Sequence, residues 1–122
     1  MLLVDTSIWI DHFRKGDSTL SAALGREEVL VHAFVMGELA LGHNVHFETI
    51  AADLSDLPQA TIAVPGEVLR LISRAELGGS GIGYVDAHLV ASTLLTPEAQ
   101  LWTRDKRLKA VADRLSISAQ VE

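Results

Sequence analysis

Short apolar runs alternate along this chain with longer stretches whose apolar positions recur every three or four residues. A continuous run of three or four apolar residues suits a strand buried on both faces, and the longer repeat suits an amphipathic helix. Leu2 to Val4, Val29 to Val31, Thr61 to Val64, Gln100 to Thr103 and Ile117 to Val121 read as strands. Thr6 to Arg14, Ser18 to Leu24, Ala33 to Leu41, Phe47 to Leu57, Pro65 to about Leu77, Val85 to Leu95 and Lys106 to Leu115 read as helices. The punctuation agrees. Asp17 or Ser18 suits an N-cap, Gly42 a stop, Pro65-Gly66 a start, and Pro58 and Pro97 follow their helices. Gly78 to Gly83 reads as a connection. Strands alternating with helices predict an α/β domain with a mainly parallel sheet, whose ligands bind beyond the C-terminal strand ends.

Composition narrows the class. At 122 residues the chain is expected to form one domain spanning 1–122. An apolar share of 48% supports a packed core. The absence of cysteine excludes disulfides, thiolate nucleophiles and Cys-type zinc sites, and fits a reducing cytosol. No targeting segment is visible. The longest apolar stretch, Val29 to Leu41, carries His32 and Glu38 and falls short of the ~20 residues of a membrane helix. A soluble, cytoplasmic protein is expected.

A net charge of -6 argues against a nucleic-acid binder held by bulk positive charge. The basic residues nevertheless cluster: Arg104, Lys106, Arg107, Lys109 and Arg114 fall within eleven positions. Such a face suits a phosphodiester, or forms a solvated helix surface balanced by Asp105 and Asp113.

Four carboxylates stand at the edges of apolar segments: Asp5, Glu38, Asp86 and Asp105. Each has an ordinary explanation. Asp5 and Asp105 suit helix N-caps, although Thr6 and Ser7 could cap in place of Asp5. Asp86 lies in a first helical turn, where the macrodipole favours an anion, yet Leu89 and Val90 share its side. Glu38 has Phe34, Val35, Leu41 and Gly42 as helical neighbours, which places it on or beside the apolar stripe, where an unpaired charge is costly. Asp5 and Asp105 follow strands directly and should face one crevice. If the fold gathers all four, each pair at ~4 Å and an effective dielectric near 20 costs about 4 kcal/mol, and a hard divalent cation removes that penalty.

Other constellations are weaker. His43 and His46 are three apart, with no second zinc-spaced pair. Ser7 and Ser92 lack a recognisable His–Asp relay. The Gly78 to Gly83 run has no Walker lysine. Trp9 and Trp102 read as core or interface residues.

Val4-Asp5-Thr6-Ser7-Ile8-Trp9-Ile10, Met36-Gly37-Glu38-Leu39, Tyr84-Val85-Asp86-Ala87-His88-Leu89-Val90-Ala91 and Trp102-Thr103-Arg104-Asp105-Lys106-Arg107-Leu108 resemble the four acidic blocks of PIN-domain ribonucleases. Their order, spacing and chain length resemble the VapC toxins of bacterial VapBC toxin–antitoxin systems. The resemblance implies a PIN-like three-layer α/β/α sandwich. It implies a Mg²⁺- or Mn²⁺-dependent endoribonuclease, a homodimer, and a VapB-type antitoxin through which alone DNA is contacted. By position, Asp5, Asp86 and Asp105 would ligate metal, and Glu38 would hold a water and help deprotonate it. Thr6, Ser7 and Thr103 would donate hydrogen bonds, and Arg104, Lys106 and Arg107 would meet RNA phosphate. Gly83 departs from the resemblance, since many relatives carry a polar residue, often Asn, at that position.

Rival readings fit less well. A phospho-receiver domain wants adjacent acids after its first strand, where Thr6 follows Asp5. A haloacid-type phosphatase wants a second Asp where Ser7 stands. A non-catalytic PIN-like module binding RNA or protein would be expected to lack one of the acids, and a PIN nuclease of RNA maturation would keep them.

Overall fold

The computed structural model describes residues 1–42 and 46–122, so His43, and with it the His43–His46 pair, lies outside the described residues. The strands are β1 (Leu2–Val4), β2 (Val29–Leu30) and β3 (Gln100–Trp102). The helices are α1 (Thr6–Lys15), α2 (Ser18–Gly25), α3 (Ala33–Leu41), α4 (Phe47–Ser55), α5 (Pro65–Arg74), α6 (Tyr84–Leu95) and α7 (Lys106–Arg114). The sheet order is β2-β1-β3, all parallel, with Leu3 opposite Leu30 on one side and Leu101 on the other. Helices cover both faces, which gives a three-layer α/β/α sandwich.

The strands are short and apolar because neither face meets water: Leu3, Val4, Val29 and Leu101 are at most 1% exposed. Ile8, Trp9, Leu20, Val35, Leu89 and Leu108 close the core from the helices. Trp9 stacks on Phe13 at 5.7 Å, and both tryptophans are core residues. Helix α6 is buried on every side from Ala87 to Thr93 and is the interior helix of the domain. Among the described residues no helix is long and apolar enough to cross a membrane.

Two expected strands are not formed. Only Gln59, ahead of Thr61 to Val64, bridges the sheet, opposite Val31. Thr61, Ile62 and Val64 are exposed, and Val64 already serves as the N-cap of α5 with Pro65 in its first turn. The segment Ile117 to Val121 likewise shrinks to one bridge, between Ser118 and Leu101. Helices α4 and α5 also stop short of Leu57 and Leu77. The ends of α2, α5 and α7 explain why such boundaries were hard to read. Glu27, Glu76 and Ser116 take left-handed φ values of 58°, 53° and 60°. The next amide in each case donates to the carbonyl five residues back: Glu28 to Ala23, Leu77 to Ile72 and Ile117 to Ala112. These are Schellman endings built without glycine.

Candidate active site

Asp5 is the first residue beyond β1, and its backbone N–H donates to the Trp102 carbonyl at 2.9 Å. That bond sets the end of β1 beside the end of β3. Asp5 is only 6% exposed, and donors surround its carboxylate. Oδ1 accepts from Thr6 N–H at 2.8 Å. Oδ2 accepts from the Thr103 hydroxyl at 2.7 Å and the Ser7 hydroxyl at 3.4 Å. Asp5 therefore is the cap of α1; Thr6 and Ser7 do not replace it.

Thr103, 5% exposed, relays the contact, since its oxygen accepts from the Asp105 N–H at 3.0 Å. Asp105 itself is exposed and caps α7, with Oδ1 accepting from Arg107 N–H at 3.0 Å and Leu108 N–H at 2.9 Å. Capping leaves Oδ2 for other work. On the opposite side the Thr6 hydroxyl donates to Glu38 Oε1 at 2.6 Å. Glu38 is exposed, so of the two expected places it lies beside the apolar stripe and not on it. That stripe runs through Val35 and Leu39, and Glu38 is rotated off it.

Asp86 completes the group. Its Oδ2 accepts from Gly83 N–H at 3.3 Å, a backbone contact that any residue except proline supplies at this position. Burial raises the Asp86 carboxyl above its ordinary value, the Gly83 N–H opposes that rise, and the charges of Asp5, Asp105 and Glu38 add to it. The fold thus brings Asp5, Asp105 and Glu38 within electrostatic reach of Asp86. Among the described residues no three such side chains converge closely enough to hold a metal ion as they stand. Each acid is turned toward its own hydrogen-bond donor: Asp5 to Thr6, Glu38 to Thr6, Asp86 to Gly83 and Asp105 to Arg107. The donor set is nevertheless all oxygen and fourfold anionic, which is the chemistry of a hard divalent cation.

Arg104 departs from expectation. Its guanidinium is committed to the protein: Nη1 donates to Asp11 at 2.8 Å, Nη2 to Asp17 at 2.5 Å and to Glu122, and Nε to Glu122 at 2.9 Å. It also lies 5.8 Å from the Trp102 ring. These partners raise the Arg104 pKa further, and the same guanidinium holds the Asp17 and Glu122 carboxyls below their usual values. Lys109 pairs with Asp113 at 3.3 Å, and Arg114 donates to the Ala75 carbonyl at 2.8 Å. Lys106 and Arg107 remain exposed at the start of α7, with Arg107 lying against Gly81. Gly81 has φ 87°, so the backbone favours glycine there, and a Cβ would come within 2.7 Å of Arg107 Cδ and displace that exposed side chain.

One contact escaped sequence reasoning. Ser92 does have a histidine partner: His32 Nε2 lies 2.9 Å from its Oγ. Both residues are 0% exposed, and no carboxylate orients the ring, so the pair makes no nucleophile. The available signal was a histidine and a serine each placed inside an apolar run.

Comparison with known proteins agrees with the geometry. The PIN domain family model matches residues 2–114. Ribonuclease VapC32 of two Mycobacterium tuberculosis strains is 43% identical over 122 residues, covering 100% of this chain and 98% of theirs. The FitAcB crystal structure from Neisseria gonorrhoeae superimposes with a TM-score of 0.62 at 21% identity, covering 93% of this chain and 94% of that one. FitAB bound to an IR36 DNA fragment gives 0.64 at 21% identity, over 93% and 91%. With four acids at the ends of a parallel sheet and a full-length match of this kind, the chain belongs to the PIN-domain family and, within it, to the VapC proteins.

Proposed function

We propose that this protein is a divalent-metal-dependent endoribonuclease acting as the toxin of a type II toxin–antitoxin system. The observation that carries the reading is that Thr103 joins Asp5 to Asp105 and Thr6 joins Asp5 to Glu38 by hydrogen bonds at the C-terminal ends of β1 and β3, with the charges of these three acids raising the Asp86 carboxyl further. Its full-length relative is named a ribonuclease. Asp5, Asp86 and Asp105 would hold Mg²⁺, or Mn²⁺. When bound, such a cation supplies neutralisation of the cluster and Lewis acidity toward a phosphoryl oxygen.

The chain's own groups do the rest. Thr103 holds Asp5 in one rotamer, and Thr6 holds Glu38 at the same edge. Glu38, exposed and within reach of solvent, accepts the proton of the attacking water. Lys106 and Arg107 lie at the N-terminus of α7, where the helix dipole adds to their charge, and they meet RNA phosphate. Hydrolysis by water needs no 2′-OH, so RNA selectivity comes from binding. A VapB-type antitoxin and a homodimer complete the assembly in this reading.

The test is cleavage of end-labelled tRNA and rRNA by the purified chain, freed of antitoxin, with Mg²⁺, Mn²⁺ or EDTA and with Asp86→Asn. Metal-dependent cuts that vanish in the variant are expected. Absence of both cleavage and metal binding in the wild type would sink the reading; metal binding without cuts would point to a non-catalytic module.

A further inference from the structure

His32 precedes α3, which carries Glu38, and Ser92 lies in α6, which carries Asp86. The imidazole is committed at both nitrogens. Nδ1 accepts from Phe34 N–H at 2.9 Å, so it carries no proton. Nε2 therefore carries it and donates to Ser92 Oγ at 2.9 Å. One ring thus caps the first turn of α3 and reaches across to the middle of α6. Aromatic contacts run beside it: Phe34 lies 5.1 Å from His32 and 4.6 Å from His88, and Tyr84 lies 4.7 Å from His88.

The spacing is symmetrical. Glu38 lies six residues after His32, and Asp86 lies six residues before Ser92. At ~1.5 Å rise per residue, each acid stands about 9 Å along its helix from the hydrogen bond. Purely apolar side chains would fill this interior at no desolvation cost, yet they would let the helices slide. A hydrogen bond fixes the separation to a few tenths of an ångström, which is the tolerance that metal ligation demands.

We infer that His32 and Ser92 are positioning residues: their buried hydrogen bond sets the Glu38 helix against the Asp86 helix and thereby sets the affinity of the acid cluster for a divalent cation. This rests on the functional reading above.

The experiment is Mn²⁺ binding to the full chain, followed by electron paramagnetic resonance, with RNA cleavage measured in parallel. The variants are Ser92→Ala, His32→Asn, the double variant, and Leu54→Ala as a core control on α4, a helix that carries neither the pair nor an acid of the cluster. His32→Asn keeps an acceptor for Phe34 N–H but cannot span to Ser92, so it serves where Ser92→Ala folds poorly. The expected result is an Mn²⁺ dissociation constant about tenfold higher in either single variant, the scale seen when groups supporting metal ligands are lost. Lower kcat with unchanged KM for RNA should accompany it. The double variant should be no worse than either single one, and Leu54→Ala should lower Tm while keeping wild-type Mn²⁺ affinity. Wild-type affinity and kcat in both single variants, or additive losses in the double one, would overturn the inference. A wild type that binds no Mn²⁺ would overturn the functional reading and the inference with it. A wild type that binds Mn²⁺ without cutting RNA would overturn only the nuclease reading, since the affinities still decide this one.

Discussion

Thr103 Oγ1 donates to Asp5 Oδ2 at 2.7 Å across 98 residues of chain, and the same oxygen accepts the amide proton of Asp105. Two of the four acids are therefore held by one hydroxyl. Thr103→Val keeps the shape and removes the donor from a buried carboxylate. A loss of about 1.5–3 kcal/mol in unfolding free energy is expected, the usual scale for a hydrogen bond to a charged group. Thr103→Ser should recover most of it. Urea denaturation of the three proteins checks this, and a Thr103→Val variant as stable as wild type would contradict it.

Asp86 is raised by burial first and by its three acidic neighbours after that. Without a counter-charge its ionised form is disfavoured in the fold. Asp86→Asn is therefore expected to raise the Tm of the metal-free protein by a few degrees, roughly the effect of 1 kcal/mol in a domain of this size, while abolishing cleavage. Thermal unfolding in EDTA reads the first effect and the RNA assay the second. A lower Tm in EDTA would mean that the acids are not in conflict.

His32 is pushed down to about 4 from the ordinary 6.5, by burial first and by His88 second. Above pH 6.5 the residue is neutral in both folded and unfolded chains and stability does not depend on it. As pH falls from 6.5 toward about 4, the unfolded chain takes up a proton that the folded one refuses. Folding stability from this residue is thus present above pH 6.5 and lost on acidification, by about 3 kcal/mol over the whole window. His32→Asn should flatten that slope in a series of denaturation midpoints from pH 7 to pH 4.5. An unchanged slope would remove His32 as its source.

Arg104 and its neighbours at the start of α7 should separate cleanly. Arg104→Leu leaves Asp11, Asp17 and Glu122 converging without a cation, and a loss of about 1–3 kcal/mol is expected for this half-buried cluster. Lys106→Ala with Arg107→Ala should leave stability within about 0.5 kcal/mol. The same double change should flatten the dependence of RNA affinity on salt by about one to two counterions. Filter binding at several salt concentrations, beside thermal melts, distinguishes the two roles. A flattened salt dependence in Arg104→Leu, measured below its melting temperature, would return that residue to the phosphate contacts.

The parts of the fold legible in the sequence were those with one dominant cause. Leu2 to Val4 and Gln100 to Trp102 are apolar because both faces are covered, and the helix repeats follow from one-sided burial. Thr61 to Val64 misled because apolar, β-branched residues also occur where a chain enters a helix at Pro65. Ile117 to Val121 misled for a related reason: its Leu101 pairing ends after one bridge. Helix ends at Glu27, Glu76 and Ser116 carried no glycine signal. In the site, all four acids were visible as carboxylates beside apolar runs. What was not visible was distance-dependent: that Arg104 meets three acids from α1, the α1–α2 turn and the final residue, and that Ser92 meets His32. Sixty or more residues separate most of those partners, and no local period encodes them.

The first strand in the sequence is the middle strand of the sheet, and one of its two neighbours begins at Gln100. During synthesis, a ribosome must deliver about a hundred residues before Thr103 exists to hold Asp5. A growing chain that has passed Asp5, Glu38 and Asp86 already contains three of the four acids but none of the scaffold on the β3 side. The cluster comes into being late and all at once, so a cell making this protein meets a finished site only after β3 and the start of α7 have been made.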